Sequence, residues 1–99
     1  MQLRSFDMKV ARKYVISGRV QGVGFRYFAE RWAIQLGISG YVKNCWDGNV
    51  EVYAIGDVTS LEELKRRLAE GPRSARVTSI SEHEEPVDKQ RTTFRIEDD

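Results

Sequence analysis

Gly18-Arg19-Val20-Gln21-Gly22-Val23-Gly24 runs directly into Phe25-Arg26-Tyr27-Phe28-Ala29-Glu30, and the hydrophobic period of the chain changes at that junction. Upstream, Lys9–Ser17 (KVARKYVIS) is rich in β-branched and aromatic residues and stops at Gly18, which predicts a strand. Its alternation is imperfect, because Arg12 interrupts the face that carries Val10, Tyr14 and Ile16. Downstream, Phe25, Phe28, Ala29, Trp32, Ala33 and Leu36 recur at i, i+3, i+4, i+7, i+8 and i+11, the stripe of an amphipathic helix. Gly37 supplies its C-terminal stop. The glycines of Gly18–Gly24 make a tight loop between strand and helix.

Beyond the helix, Ile38–Trp46 and Val50–Gly56 read as strands joined at Asp47-Gly48-Asn49, a hairpin turn in which glycine supplies a positive φ at low cost. Asp57–Glu70 reads as a second helix, capped near Thr59 or Ser60, with Leu61, Leu64 and Leu68 on one face and Gly71-Pro72 at its end. Arg76–Glu82 is a fourth strand, Glu84–Arg91 a polar loop, and Thr92–Glu97 a short closing strand in which Phe94 and Ile96 alternate. The order β-α-β-β-α-β places both helices on one sheet face, because each must bury its apolar stripe. The predicted class is α+β, a ferredoxin-like α/β sandwich with an antiparallel sheet. The first two strands are expected to be neighbours. Residues 1–8 form a short N-terminal extension, and 9–99 one domain.

Composition sets further bounds. In 99 residues, 40% are hydrophobic and 31% charged, a globular balance that is too apolar for disorder. The net charge of +1 gives no cationic excess for nonspecific nucleic-acid binding. Cys45 is the sole cysteine, so no internal disulfide and no cysteine-based zinc site can form. No apolar run approaches the length of a membrane span, and Met1–Asp7 lacks the apolar stretch of a signal peptide. A cytoplasmic setting follows as an expectation.

The loop at the period change is also the segment most suited to chemistry. Successive glycines allow backbone N–H groups to converge on one point, and the helix N-terminus adds positive partial charge, which together make an anion cradle. It is not a Walker loop, because no Lys-Ser/Thr pair follows the glycines, and it lacks the third glycine of a dinucleotide fingerprint. A plain strand-to-helix turn would read the same way from spacing alone. Arg26 argues for a site: a cation in the first helical turn opposes the macrodipole by roughly 0.3–1 kcal/mol. In addition, no Ser, Thr, Asp or Asn stands just before Phe25 as a cap. A bound phosphate would relieve both, accepting the free N–H groups and pairing with the guanidinium fork. The plainer alternative leaves Arg26 solvated on the helix surface.

Gly18-Arg19-Val20-Gln21-Gly22-Val23-Gly24-Phe25-Arg26 resembles the first signature of the acylphosphatases, G-x-V-Q-G-V-x-F-R. Gly40-Tyr41-Val42-Lys43-Asn44, with Asp47-Gly48-Asn49-Val50-Glu51, resembles the second, G-[WFY]-V-x-N-x-x-D-G-x-V-E. The similarity extends from about Lys9 to Ile96. It implies the ferredoxin-like fold and hydrolysis of an acyl phosphate to a carboxylate and inorganic phosphate. The family's phosphate-binding arginine falls on Arg26 and its water-orienting asparagine on Asn44. The backbone cradle falls on Val20, Gln21, Gly22, Val23, Gly24 and Phe25. The resemblance further implies no cofactor and no metal, inorganic phosphate as product and inhibitor, and a monomer without nucleic-acid or membrane partners. Trp46 departs from the family, which often carries proline there, and Cys45 matches no catalytic residue of it.

Other candidates weigh less. His83, beside Glu82, Glu84 and Glu85, reads as an edge or surface histidine rather than a general base, and the acidic run as a solvated one. Lys65, Arg66 and Arg67 read as the exposed face of the second helix, and Trp32 as core. An RNA-binding sheet using Tyr41, Trp46 and Tyr53 is the rival from another class, but its characteristic motif is missing. A phosphate- or carbamoyl-phosphate-handling module of a larger protein is the nearer rival. The chain's end soon after the domain favours a free-standing enzyme.

Overall fold

In the computed structural model, which describes residues 8–98, Tyr14 and Ile16 of β1 (Val10–Arg19) are fully buried against the two helices. The expected lead-in Met1–Asp7 lies outside the described residues. After β1 come α1 (Phe25–Gln35), β2 (Ser39–Asn44), β3 (Val50–Gly56), α2 (Val58–Glu70), β4 (Arg76–Glu85) and β5 (Phe94–Glu97). The strands form one sheet in the order β4-β1-β3-β2-β5. Both helices lie on one face, where Phe25, Ala29 and Ala33 of α1 and Leu61, Leu64 and Leu68 of α2 meet Tyr14, Ile16, Val42, Val50, Val52 and Ala54. Each fully buried leucine there contributes about 1.5–3 kcal/mol relative to exposure.

Two expectations about the sheet are corrected. The pairs β4–β1, β1–β3 and β3–β2 are antiparallel, but β5 adds to β2 in parallel, with Gly40 opposite Phe94 and Val42 opposite Ile96. The chain leaves β4 at one edge and reaches the far edge beside β2, where it runs in the direction of β2. The sheet is therefore mixed. Nor are the first two strands neighbours, because β3 lies between β1 and β2.

Boundaries shift for local reasons. β1 continues through Gly18 and Arg19 after a register irregularity at Ser17/Gly18, so the loop is shorter than read. A side chain at Gly18 would stand 2.1 Å from the Arg76 carbonyl oxygen, and its φ of 128° also requires glycine. Asp57 is the cap of α2 rather than its first residue, its carboxylate accepting from the Ser60 amide at 2.8 Å. β4 runs on through His83, Glu84 and Glu85, and His83 is exposed on this edge strand.

Arg12 breaks the apolar pattern of β1 for a visible reason. Its guanidinium lies 2.8 Å from Glu62 of α2 and 3.3 Å from Glu82 of β4, joining helix and edge strand. Next to it the Tyr14 hydroxyl donates to the Leu61 carbonyl at 3.2 Å, and burial pushes that phenol up to about 12. The second helix does not present Lys65, Arg66 and Arg67 alike to solvent. Lys65 pairs with Glu82 at 2.8 Å, and the Arg67 guanidinium covers the half-buried Trp32 ring at 4.1 Å.

Candidate active site

The loop between β1 and α1 is held from both sides. The Gln21 side-chain amide donates to the carbonyls of Cys45 and Asn49, at 2.8 and 2.9 Å, and so ties the loop to the β2–β3 turn. On the other side the Ser74 hydroxyl donates to the Val23 carbonyl at 3.2 Å. Gly24 has φ 79° and stands at the cap position of α1 with no side-chain cap bond, and no acidic residue occupies the first turn. The helix amides of Phe25, Arg26 and Tyr27 precede the first i−4 acceptor, and the Phe28 amide is the one that reaches Gly24 O, at 3.1 Å. Among the described residues, no backbone acceptor is found for the N–H groups of Gly22, Val23 and Gly24. These unsatisfied donors at a helix start form a strongly anion-seeking arrangement.

Asn44, the last residue of β2, arrives from the far side of β3. It lies opposite Val50, which in turn lies opposite Ile16 of β1. Ile38, Gly40 and Val42 are buried on one face of β2, and Asn44 emerges half-exposed beyond them on that face. Val20, Gly22, Gly24, Phe25, Arg26, Tyr27 and Asn44 line a single cavity of about 90 Å³. Loop, arginine and asparagine thus converge despite an intervening strand, because all the strands that carry them end at the same edge of the sandwich.

Three contributors escaped the sequence reading. Gln21 was expected only through its backbone, yet its side chain fixes the distance between loop and hairpin. Ser74 carries no local sequence signal, because its partner Val23 lies 51 residues away. Asp98 pairs with Arg26 at 3.1 Å, and the same guanidinium reaches the Glu97 carbonyl at 3.5 Å. Asp98 is 93% exposed, so this contact leaves Arg26 on a solvated partner that an incoming anion can replace.

The tyrosines proposed for an RNA platform are otherwise engaged. The Tyr41 hydroxyl donates to Glu51, the Arg91 guanidinium covers its ring at 4.8 Å, and burial raises its phenol above the ordinary range. Tyr53 is buried, donates to Pro86 O at 2.7 Å and accepts from the Asp88 amide at 2.9 Å. A larger cavity of about 790 Å³ lies at the opposite end of the sheet, near Ile38, Ile55 and Phe94, and includes none of the residues described above for the loop. No three His, Cys, Asp or Glu side chains come together as a metal site among the described residues. No helix of the described residues is long and apolar enough to cross a membrane.

A ferredoxin-like sandwich with unpaired backbone N–H groups at a strand-to-helix junction narrows the class considerably. Residues 12–96 match the acylphosphatase family. An acylphosphatase of Solibacter usitatus is 49% identical over 86 residues, covering 87% of this chain and 88% of its own. The crystal structure of acylphosphatase from Bacillus subtilis is similar with a TM-score of 0.84 and 36% identity, over 88% of this chain and 97% of that one. The structure of an acylphosphatase from Coxiella burnetii reaches a TM-score of 0.88 at 32% identity, over 97% and 100%. The chain belongs to the acylphosphatase family, enzymes that hydrolyse acyl phosphates.

Proposed function

We propose that Arg26 and the Val20–Phe25 backbone hold the phosphoryl group of the substrate while Asn44 positions the attacking water. The single observation that carries this reading is the shared cavity, in which Arg26, Asn44 and the glycine loop face one another. An acyl phosphate is a mixed anhydride with a good leaving group, so the protein's work is to bind a dianion, stabilise charge on its oxygens and place water in line. Arg26 leaves Asp98 and pairs with two phosphoryl oxygens through its planar fork. The loop and first-turn amides accept the remaining charge.

Water held by the Asn44 amide attacks phosphorus, the bond from phosphorus to the acyl oxygen breaks, and the carboxylate leaves with that bond's electron pair. The proton released by the water goes to a phosphoryl oxygen, so the products are carboxylate and dihydrogen phosphate with the charge conserved. No separate general base is required. His83 is exposed on the edge strand β4, outside the residues that line the cavity. Inorganic phosphate competes for the same cradle, the reaction proceeds without metal, and the enzyme acts as a cytoplasmic monomer.

Hydrolysis of acetyl phosphate, followed with and without chelator and at increasing inorganic phosphate, tests the reading. Full activity in chelator and competitive inhibition by phosphate are expected. Activity lost in chelator and restored by magnesium or zinc would overturn it, because the positive potential would then come from an ion rather than from Arg26 and the amides.

A further inference from the structure

We infer that the large cavity at the end of the sheet away from the phosphate loop binds a medium-chain carboxylate. Its hydrocarbon tail lies on the apolar floor and its charge at Lys9 and Lys89. The site shares no residue with the phosphate cradle and does not depend on it. The cavity measures about 790 Å³ and lies where β1 begins and β3 ends. Ligand pockets span about 300–1,000 Å³, so this one has the size of a binding site.

The floor is apolar. Ile38 and Phe94 reach it from the helix side of the sheet, Ile55 and Val87 from the open face. Ile34, in the last turn of α1, adds a wall; it is 61% exposed and belongs to neither core cluster. An exposed isoleucine is ordinary by itself, but here it continues the apolar floor. The opposite wall, residues 87–93, is strapped to the sheet. The Tyr53 hydroxyl donates to Pro86 O and accepts from the Asp88 amide, and the Gly40 amide donates to Thr93 O at 2.9 Å. The cavity is therefore preformed, and a ligand need not order it.

Charge decides the class of ligand. Lys9, Asp88, Lys89 and Arg91 line the cavity. Arg91 is already engaged by Glu97 at 3.1 Å and by Asp88 at 3.7 Å, and its guanidinium covers the Tyr41 ring. The ammonium groups of Lys9 and Lys89 make no ion pair or hydrogen bond with any described residue, and both lysines are exposed at the rim. Two such cations beside apolar surface favour an anion with an apolar body. An ammonium is a point charge suited to a carboxylate, and among the lining residues no guanidinium is left free to fork a phosphate.

Calorimetric titration with decanoate below its micelle concentration, with hexanoate and decanol in parallel, tests the site. One saturable decanoate site is expected. Each buried methylene strengthens binding up to about fourfold, so decanoate should exceed hexanoate by at least about tenfold. Ile34→Glu sets a charge on the apolar wall at an exposed helical position and should weaken decanoate by about tenfold or more. Lys9→Gln combined with Lys89→Gln should weaken it about three- to tenfold and leave decanol unchanged. Saturating inorganic phosphate should not displace decanoate, and acetyl phosphate turnover of both variants should match the wild type. Absence of saturable binding, or affinities indifferent to these substitutions, overturns the inference. So does displacement by phosphate, which would put the carboxylate in the cradle. Sedimentation that shows dimers dispersed by Ile34→Glu also overturns it, because this face would then be a contact between copies. None of these outcomes sinks the phosphoryl-site reading, which fails instead if inorganic phosphate itself does not bind.

Discussion

Gln21→Leu keeps the bulk of the side chain but removes the amide that joins the phosphate loop to the β2–β3 turn. Two hydrogen bonds disappear, at 2.8 and 2.9 Å. A typical intramolecular bond is worth about 0.5–1.5 kcal/mol net, so the pair has a ceiling near about 3 kcal/mol. The ceiling is not reached, because neither carbonyl is orphaned: Cys45 O still accepts from the Gly48 amide and Asn49 O from the Cys45 amide. Gln21 is also half-buried, and water can take its place. The expected loss is about 1–2 kcal/mol. In a domain of this size that lowers Tm by about 4–8 °C per kcal/mol. Function should suffer more than stability, since Asn44 and the loop sit on the two segments that Gln21 connects. The kcat for acetyl phosphate should fall while phosphate still binds through Arg26 and the loop amides. Thermal unfolding followed by circular dichroism, alongside turnover and phosphate inhibition, measures both. An unchanged Tm with full kcat would refute the idea that this side chain sets the geometry of the site.

Arg26→Ala and Arg26→Lys should both lose nearly all turnover and bind phosphate weakly while remaining folded, because lysine lacks the planar fork; near-normal activity in either would place the site elsewhere. Asp98→Asn removes the exposed partner of Arg26 and should tighten phosphate inhibition by no more than about fivefold, the limit for a surface ion pair. Weaker inhibition in that variant would mean that Asp98 orients Arg26 rather than competing for it. Glu82 is held below the ordinary 4.5 first by its hydrogen bond from Lys65, with the charges of Lys65 and Arg12 adding to it and burial opposing. A depressed carboxylate stabilises the fold above its unfolded value and loses that contribution as pH falls through the folded value. The urea midpoints of wild type and Glu82→Gln should therefore differ at neutral pH and converge in acid, and a gap that persists at all pH values would contradict this.

The parts of the fold visible in the sequence were those fixed by local physics. The change of period at Phe25 follows from the 3.6-residue repeat of α1, and the turn at Asp47-Gly48 follows from a positive φ of 95° at Gly48. Leu61, Leu64 and Leu68 mark the buried face of α2 for the same reason. Which strands are neighbours is a different matter. β3 separates β1 from β2, and β5 joins in parallel, because hydrogen-bonding partners are chosen between distant segments that carry no local mark of each other. The end of β4 was unreadable because Glu84 and Glu85 look like solvated loop. Yet they pair with Arg12 and Ala11, and lie near the cations of Arg12 and Lys13.

The site divides along the same line. The loop and Arg26 announced themselves through glycines and through a cation where a helix start disfavours one. Asn44 enters the proposal only through its resemblance to a known motif and could otherwise be a turn-flanking asparagine. The Gln21 side-chain bonds, the Ser74 contact and the Asp98 pair each span more than twenty residues, so only the folded chain brings them together.

The most direct test of the whole account is Asn44→Ala, measured by acetyl phosphate turnover together with calorimetric titration of inorganic phosphate. Loss of one well-placed polar group acting mainly in the transition state commonly costs about 10²–10³ in rate. The account predicts a fall in kcat of that order with phosphate affinity near the wild-type value, because Arg26 and the loop amides are untouched, and Asn44→Asp should be no better. Full kcat in Asn44→Ala, or a parallel loss of phosphate binding and turnover through unfolding, would contradict it.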